Sequence, residues 1–223
     1  MNVRHSTNRV VRAASVRLHE LNQRHPWSHN DHFHPWILRR LPRSRERALD
    51  VGCGRGELLD QLARRFEVAH GVDVDQQMRT AALARTAGRV NVTVGGEQLT
   101  ELAGPYDVIT MVAVLHHLDV AEALDQVRRL LSAGGRLLVV GLAPPVTVLD
   151  NVVDIASAIT NPVIGMIKHP HVAEPTDAEP PFPVRDPTMS YDELRTIAQR
   201  ILPGVRLRRR LAFRHTLEWT KPG

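Results

Sequence analysis

Apolar and polar positions along the 223-residue chain switch between two periods. Short apolar runs predict buried strands at residues 48–51, 68–72, 90–94, 107–115 and 136–141, and alternation predicts a closing pair at 205–213 and 215–220. Between them, helical spacing predicts helices at 37–41, 57–66, 76–87, 120–131 and 191–202. Strands that take turns with helices in this way predict an α/β class, a doubly wound parallel sheet. Asp119 with Glu122, and Ser190 with Glu193, look like helix N-caps with reciprocal partners. Gly134-Gly135 and Pro203-Gly204 read as turns into strands.

Two stretches lie outside that alternation. Val10, Val11, Ala14, Leu18 and Leu21 predict an amphipathic helix over 8–22, ahead of the first strand. After the fifth strand, Val148, Val152, Ile155, Ile159, Val163 and Ile167 predict an apolar helical stretch over 146–168, bent at Pro162. A proline-rich loop over 169–187 follows it. The expected organisation is an N-terminal helical segment and lid over 1–46, then one domain over 47–223 with a cover inserted at about 143–188. Peripheral contact with a membrane, or pairing with another subunit, is a further use open to the apolar stretch.

The most informative residues are Ala48-Leu49-Asp50-Val51-Gly52-Cys53-Gly54-Arg55-Gly56. An apolar strand ends in a carboxylate, breaks into a glycine turn and passes to a helix near Glu57. Glycines there allow positive φ and a close backbone approach to a ligand. The dinucleotide fingerprint is G-x-G-x-x-G, with a pyrophosphate at the helix start. Here the glycines fall at 52, 54 and 56, and Asp50 would place its charge beside that pyrophosphate. A cation-bearing cofactor fits better, and S-adenosylmethionine carries an ammonium and a sulfonium with no phosphate. Val68 to Val72 ends in Asp73, about 20 residues on, at the offset of a ribose-binding carboxylate.

With these residues the chain resembles the class I S-adenosylmethionine-dependent methyltransferases, over roughly 48–142 in register and more loosely to the C-terminus. Further carriers of the resemblance are Tyr106-Asp107-Val108-Ile109, Leu115-His116-His117-Leu118 and Leu131-Ser132-Ala133-Gly134-Gly135-Arg136-Leu137-Leu138. It implies a Rossmann-like sheet, mostly parallel, with an antiparallel C-terminal edge strand and helices on both faces. It also implies S-adenosyl-L-methionine as cofactor, held by Asp50, Gly52, Cys53, Gly54, Gly56, Asp73, Val74, Met78, Gln98 and Met111. In the family an aspartate of a Gly-Asp-Ala sequence usually binds the adenine amino group. Gly96 or Glu97 stands there in this chain, with Glu97 as the substitute. The candidates for acceptor chemistry are His116, His117 and His34, whose imidazoles titrate near neutrality. For the His116–His117 pair, packing or a cofactor contact is the competing role.

Composition narrows the function classes. A single cysteine, Cys53, leaves no internal disulfide framework and fits a reducing cytoplasm. No secretory signal precedes the domain, and no apolar run reaches the length of a membrane span. The net charge of +5 invites nucleic acid, yet aromatic residues make up only 4%, leaving few platforms for bases. Arg206, Arg208, Arg209 and Arg210 form the densest basic cluster and read first as a solvated strand face. The (N/D)-P-P-(Y/F) motif of enzymes that methylate nucleobase amines is missing after the fourth strand, where Thr110-Met111-Val112-Ala113 stands. His25, His29, His32 and His34 crowd Trp27 and Trp36 without cysteine or an H-E-x-x-H pattern, so no metal is expected. The expected reaction is methyl transfer to a small organic acceptor. Methylation of RNA or protein, or a non-catalytic binding role, are the alternatives.

Overall fold

A computed structural model of the chain describes residues 31–142, 188–210 and 214–223. The expected helix over 8–22, the apolar stretch over 146–168, the proline-rich 169–187, residues 211–213 and His25, Trp27 and His29 lie outside these described residues.

Seven strands form one sheet: β1 (Arg47–Val51), β2 (Val68–Val72), β3 (Val92–Gly95), β4 (Tyr106–Val112), β5 (Leu131–Leu142), β6 (Arg206–Arg210) and β7 (Arg214–Thr220). Their order is β3-β2-β1-β4-β5-β7-β6. β1 to β5 pair in parallel, whereas β7 runs antiparallel to both β5 and β6. The C-terminal pair thus extends the sheet as expected, with β7 as the reversed strand and β6 outside it. Five helices accompany the described strands: α1 (His34–Leu38), α2 (Glu57–Ala63), α3 (Gln76–Thr86), α4 (Val120–Leu130) and α5 (Tyr191–Ile201).

Side-chain alternation along the strands sorts the core into two layers. Leu49, Ile109 and Leu137 face α4 and α5, where Leu124, Val127, Leu194 and Ala198 complete one cluster. Ala48, Val108 and Leu138 face the other way and join Ile37 of α1 with Leu59 and Leu62 of α2. Each such Leu or Ile contributes about 1.5–3 kcal/mol by leaving water. Helices therefore cover both faces.

Where element ends differ from the sequence reading, local chemistry explains it. α1 starts three residues early because Pro35 sits in its first turn, where a missing N–H costs nothing. Arg40 pins this helix to the sheet, pairing with Glu218 at 3.2 Å and lying over the Trp36 ring. α2 stops at Ala63, and the tight turn after it, with Phe66 N–H donating to Leu62 O, tucks Phe66 into the core. β4 ends at Val112 because Ala113 turns to φ 58°, and Leu115–His117 form a 3-10 turn. β5 begins at Leu131, which pairs with Tyr106 before a register shift around Gly134-Gly135. Asp119 caps α4 by accepting from the Glu122 N–H, and the Glu122 side chain lines the large cavity described below.

The arginine cluster occupies the edge strand β6, exposed at Arg206, Arg208 and Arg209. Charge on an unpaired edge discourages pairing with other sheets. Arg209 stacks 4.5 Å over Tyr191 and faces Asp192 at 3.6 Å. No helix among the described residues is long and apolar enough to cross a membrane.

Ser190 and Glu193 form a reciprocal capping box at the start of α5. Ser190→Ala is expected to lower unfolding stability by about 1 kcal/mol, read from the midpoint of urea denaturation at unchanged slope.

Candidate functional site

The strand order reverses at β1, which pairs with β2 on one side and β4 on the other. Ligands of open α/β sheets bind outside the carboxyl ends of the strands at this point. A cavity of about 640 Å³ lies there, within the range of small-molecule sites.

The loop after β1 forms its floor. Gly52, Gly54 and Gly56 have φ of 65°, 54° and 82°, backbone that other residues adopt only with strain. At Gly52 a Cβ would also lie 2.2 Å from Val114 Cγ2, so the missing side chain lets the loop after β4 close against the loop after β1. The Gly52 and Cys53 N–H groups both donate to Val72 O, at 2.7 and 3.0 Å. Gly56 caps α2, and a Cβ there would stand only 3.1 Å from Ala82 Cα of α3, so the bare glycine lets the two helices approach. The Cys53 thiol is buried, and burial beside Asp50 and Asp73 pushes its pKa well up. It packs beside Gly71 as a small apolar group and is a poor nucleophile.

Two strand-end carboxylates bracket this loop. Asp73 Oδ2 accepts from the Gly54 N–H at 2.9 Å, and its Oδ1 accepts from the Asp75 N–H at 2.9 Å. One lone pair on each oxygen remains for a ligand. Asp50 is 2% exposed and accepts from the Thr110 hydroxyl at 2.6 Å. Burial, together with Asp73 and Glu57, pushes its pKa up to about 7 against the pull of Thr110. A buried carboxylate in that state is poised to ionise when a cation arrives.

The cavity wall brings together most of the residues singled out in the sequence. Asp50, Gly52, Cys53, Gly54 and Asp73 line it, followed by Val74, Met78, Glu97 and Gln98. His34, His116 and His117 line it as well. Three expected cofactor residues do not. Met111 is fully buried among Ile109, Leu137 and Val139, pointing into the core from the strand face opposite Asp50's hydroxyl partner Thr110. Gly56 is spent on contact between α2 and α3, and Gly96 lies beside the Arg79 guanidinium. Glu97 folds its carboxylate over Gly95, whose own Cβ would collide with it.

The imidazoles differ in character. His34 is buried, and desolvation lowers its pKa despite the nearby Glu57. Gln61 Nε2, which also donates to Glu57 O, reaches His34 Nδ1 at 3.2 Å. Nδ1 is then an acceptor and the proton of the neutral ring sits on Nε2. His116 and His117 stack with centroids 4.1 Å apart at the end of β4. Among the described residues no group of three His, Cys, Asp or Glu is placed to hold a metal ion.

Several wall residues escaped the sequence reading. Ala113 has a positive φ, a strain of about 1–3 kcal/mol for a non-glycine residue. Its N–H donates to Val140 O at 2.7 Å, which fixes the kink that turns Val114 onto Gly52. Glu57, Asp75, Asp119 and Glu122 bring the carboxylates on the wall to seven with Asp50, Asp73 and Glu97. Against them stands one guanidinium among the described lining residues, Arg214. The donor chemistry of this wall fits a cationic ligand: a glycine cradle for close backbone approach, and carboxylates instead of the basic groups a pyrophosphate needs.

Comparison with known proteins agrees with that chemistry. A family model described as a methyltransferase domain matches residues 49–137. An uncharacterized methyltransferase of Mycobacterium tuberculosis is 30% identical over 204 residues, covering 88% of this chain and 98% of its own. A ubiquinone biosynthesis O-methyltransferase of Xylella fastidiosa is 36% identical over 112 residues, 47% of this chain and 45% of that one. Among solved structures, the magnesium protoporphyrin IX methyltransferase of Synechocystis with bound S-adenosylhomocysteine superposes with a TM-score of 0.55 at 19% identity, covering 97% of this chain and 88% of that one. A SAM-dependent methyltransferase from Aquifex aeolicus superposes at 0.54 and 18% identity, covering 84% and 88%. The order of the strands, the glycine loop between two strand-end aspartates and the match along nearly the whole length of the mycobacterial relative place this chain in the class I S-adenosylmethionine-dependent methyltransferases.

Proposed function

We propose that the chain methylates a small organic acceptor inside the cavity at the carboxyl ends of β1 and β4. The observation that carries this reading is the wall itself: a cavity of about 640 Å³ with seven carboxylates and three histidines. A phosphate backbone would meet repulsion at such a wall, which favours a small acceptor over RNA. The partial match to O-methyltransferases of ubiquinone biosynthesis supports the same class.

S-adenosylmethionine brings an electrophilic methyl group on its sulfonium, so the protein's part is binding, alignment and exclusion of water. Asp73 takes the ribose hydroxyls with the lone pairs its loop contacts leave open. The Gly52–Gly54 backbone and Asp50 hold the amino-acid tail, and Glu97, Gln98 and Met78 wall the adenine. Val114, packed on Gly52, lines the same cavity. There His116 and His117 stand where an acceptor hydroxyl or amine gives up its proton, and His34 lines the same wall. Alignment of two reactants in this way contributes about 7–11 kcal/mol toward the barrier.

Two outcomes test this assignment. Asp73→Ala is expected to weaken S-adenosylhomocysteine binding by about 10- to 100-fold, measured by titration calorimetry; unchanged affinity contradicts it. Asp50 supplies the second. Its raised pKa means that the unliganded fold carries an extra proton between the ordinary carboxylate range and about 7. That proton's contribution to stability is complete below the ordinary carboxylate pKa and is lost as pH rises through about 7. A bound ammonium favours the carboxylate and expels the proton. Titration of S-adenosylhomocysteine at pH 6.5 is therefore expected to show enthalpies that vary with the buffer's ionisation enthalpy, corresponding to proton release. Asp50→Asn is expected to abolish that dependence. Equal enthalpies in all buffers for the unaltered protein would count against Asp50 as the cation's partner.

A further inference from the structure

The cavity changes sign from end to end. Its acids gather on the β1 and β2 side and along α4, whereas Arg214 lies across β1, β4 and β5 from Asp73. Arg214 opens β7, opposite Leu142 at the end of β5, and both residues line the cavity. Its Nε and Nη1 atoms are sealed from solvent and meet no hydrogen-bond acceptor among the described residues. Burial pulls its guanidinium down to about 10, and no carboxylate among the described residues opposes the shift.

The described residues around it add no negative charge. Arg210 pairs with it from β6. His215, next in the chain, is fitted over Gly141, where a Cβ would stand 2.3 Å from its Nε2. Neither ring nitrogen of His215 has a partner among the described residues. Burial, Arg214 and His116 together push its pKa down to about 4, so the ring is neutral at physiological pH. A guanidinium held in a wall without a counter-ion is costly unless a ligand supplies one.

We infer that the acceptor carries a carboxylate, and that Arg214 binds it at the end of the cavity opposite the methyl donor. The inference rests on the reading of this cavity as the methyl-transfer site. A singly charged carboxylate suits a wall with seven acids better than a phosphate does, because repulsion grows with the ligand's charge. Arg214 thereby sets specificity: the carboxylate fixes one end of the acceptor, and its nucleophilic atom is presented toward His116 and His117.

The test uses the full chain saturated with S-adenosylhomocysteine. Benzoate, 4-hydroxybenzoate, 3,4-dihydroxybenzoate and cinnamate are each titrated against the complex beside their primary amides, with binding read by ligand-observed NMR and calorimetry. At least one acid is expected to bind about tenfold or more tightly than its amide. Arg214→Gln is expected to erase that ratio and Arg214→Lys to retain part of it, while affinity for S-adenosylhomocysteine stays unchanged in both. Acids that bind no better than amides, or no binding by any of them, overturn the inference and leave the methyltransferase reading intact. So does a ratio that survives Arg214→Gln, including the case where that variant only lowers the melting temperature because Arg214 braces the fold. The comparison of acid with amide in the unaltered protein decides the matter even where the variants fail to fold. Absence of S-adenosylhomocysteine binding to the unaltered protein would overturn both readings.

Discussion

A carboxylate at the end of one strand holds the backbone of the loop that follows its neighbour. Asp73 of the β2 end accepts from the Gly54 N–H, and the Gly52 and Cys53 N–H groups return to Val72 O. These bonds fix a loop whose glycines have left-handed backbone and which would otherwise wander. With the loop fixed, Val114 can close on Gly52 and α3 can approach Gly56.

That charge is distributed against the chain's overall sign. The molecule carries a net +5, yet its cavity holds seven acids and a lone guanidinium among the described lining residues. Other arginines lie away from the wall: Arg89, after the end of α3, pairs with Asp60, Arg85 of α3 reaches Glu57 at the cavity's margin, and others occupy the edge strand β6. Surface pairs of this kind contribute little to stability. Their effect is to leave the interior of the site free for a cationic cofactor, with Asp50 able to hold or yield a proton as the cation leaves or enters.

Much of this was legible in the residues because it depends on local rules. The glycine loop, the strand ending at Asp73 and the Ser190 capping box each follow from neighbours a few positions apart. Met111 shows where such rules stop. A parallel strand buried on both faces reads as a continuous apolar run, so the run from 107 does not reveal which side chains face the cavity. Ala113 was equally silent, since nothing in its own identity announces a positive φ; the Val140 carbonyl and Val114 packing impose it. The start of α1 at His34, ahead of the expected 37, rests on Pro35 in its first turn. Arg214 reaches the cavity only through the antiparallel return of β7 along β5, a contact between segments far apart in sequence.

The central claim is that this loop and its two aspartates hold a cationic adenosyl cofactor in preference to a dinucleotide. Titration calorimetry of the full chain with S-adenosylhomocysteine and, separately, with NAD tests it most directly. Saturable one-to-one binding of the first and none of the second is the predicted result. Tight binding of NAD with no affinity for S-adenosylhomocysteine would contradict the account.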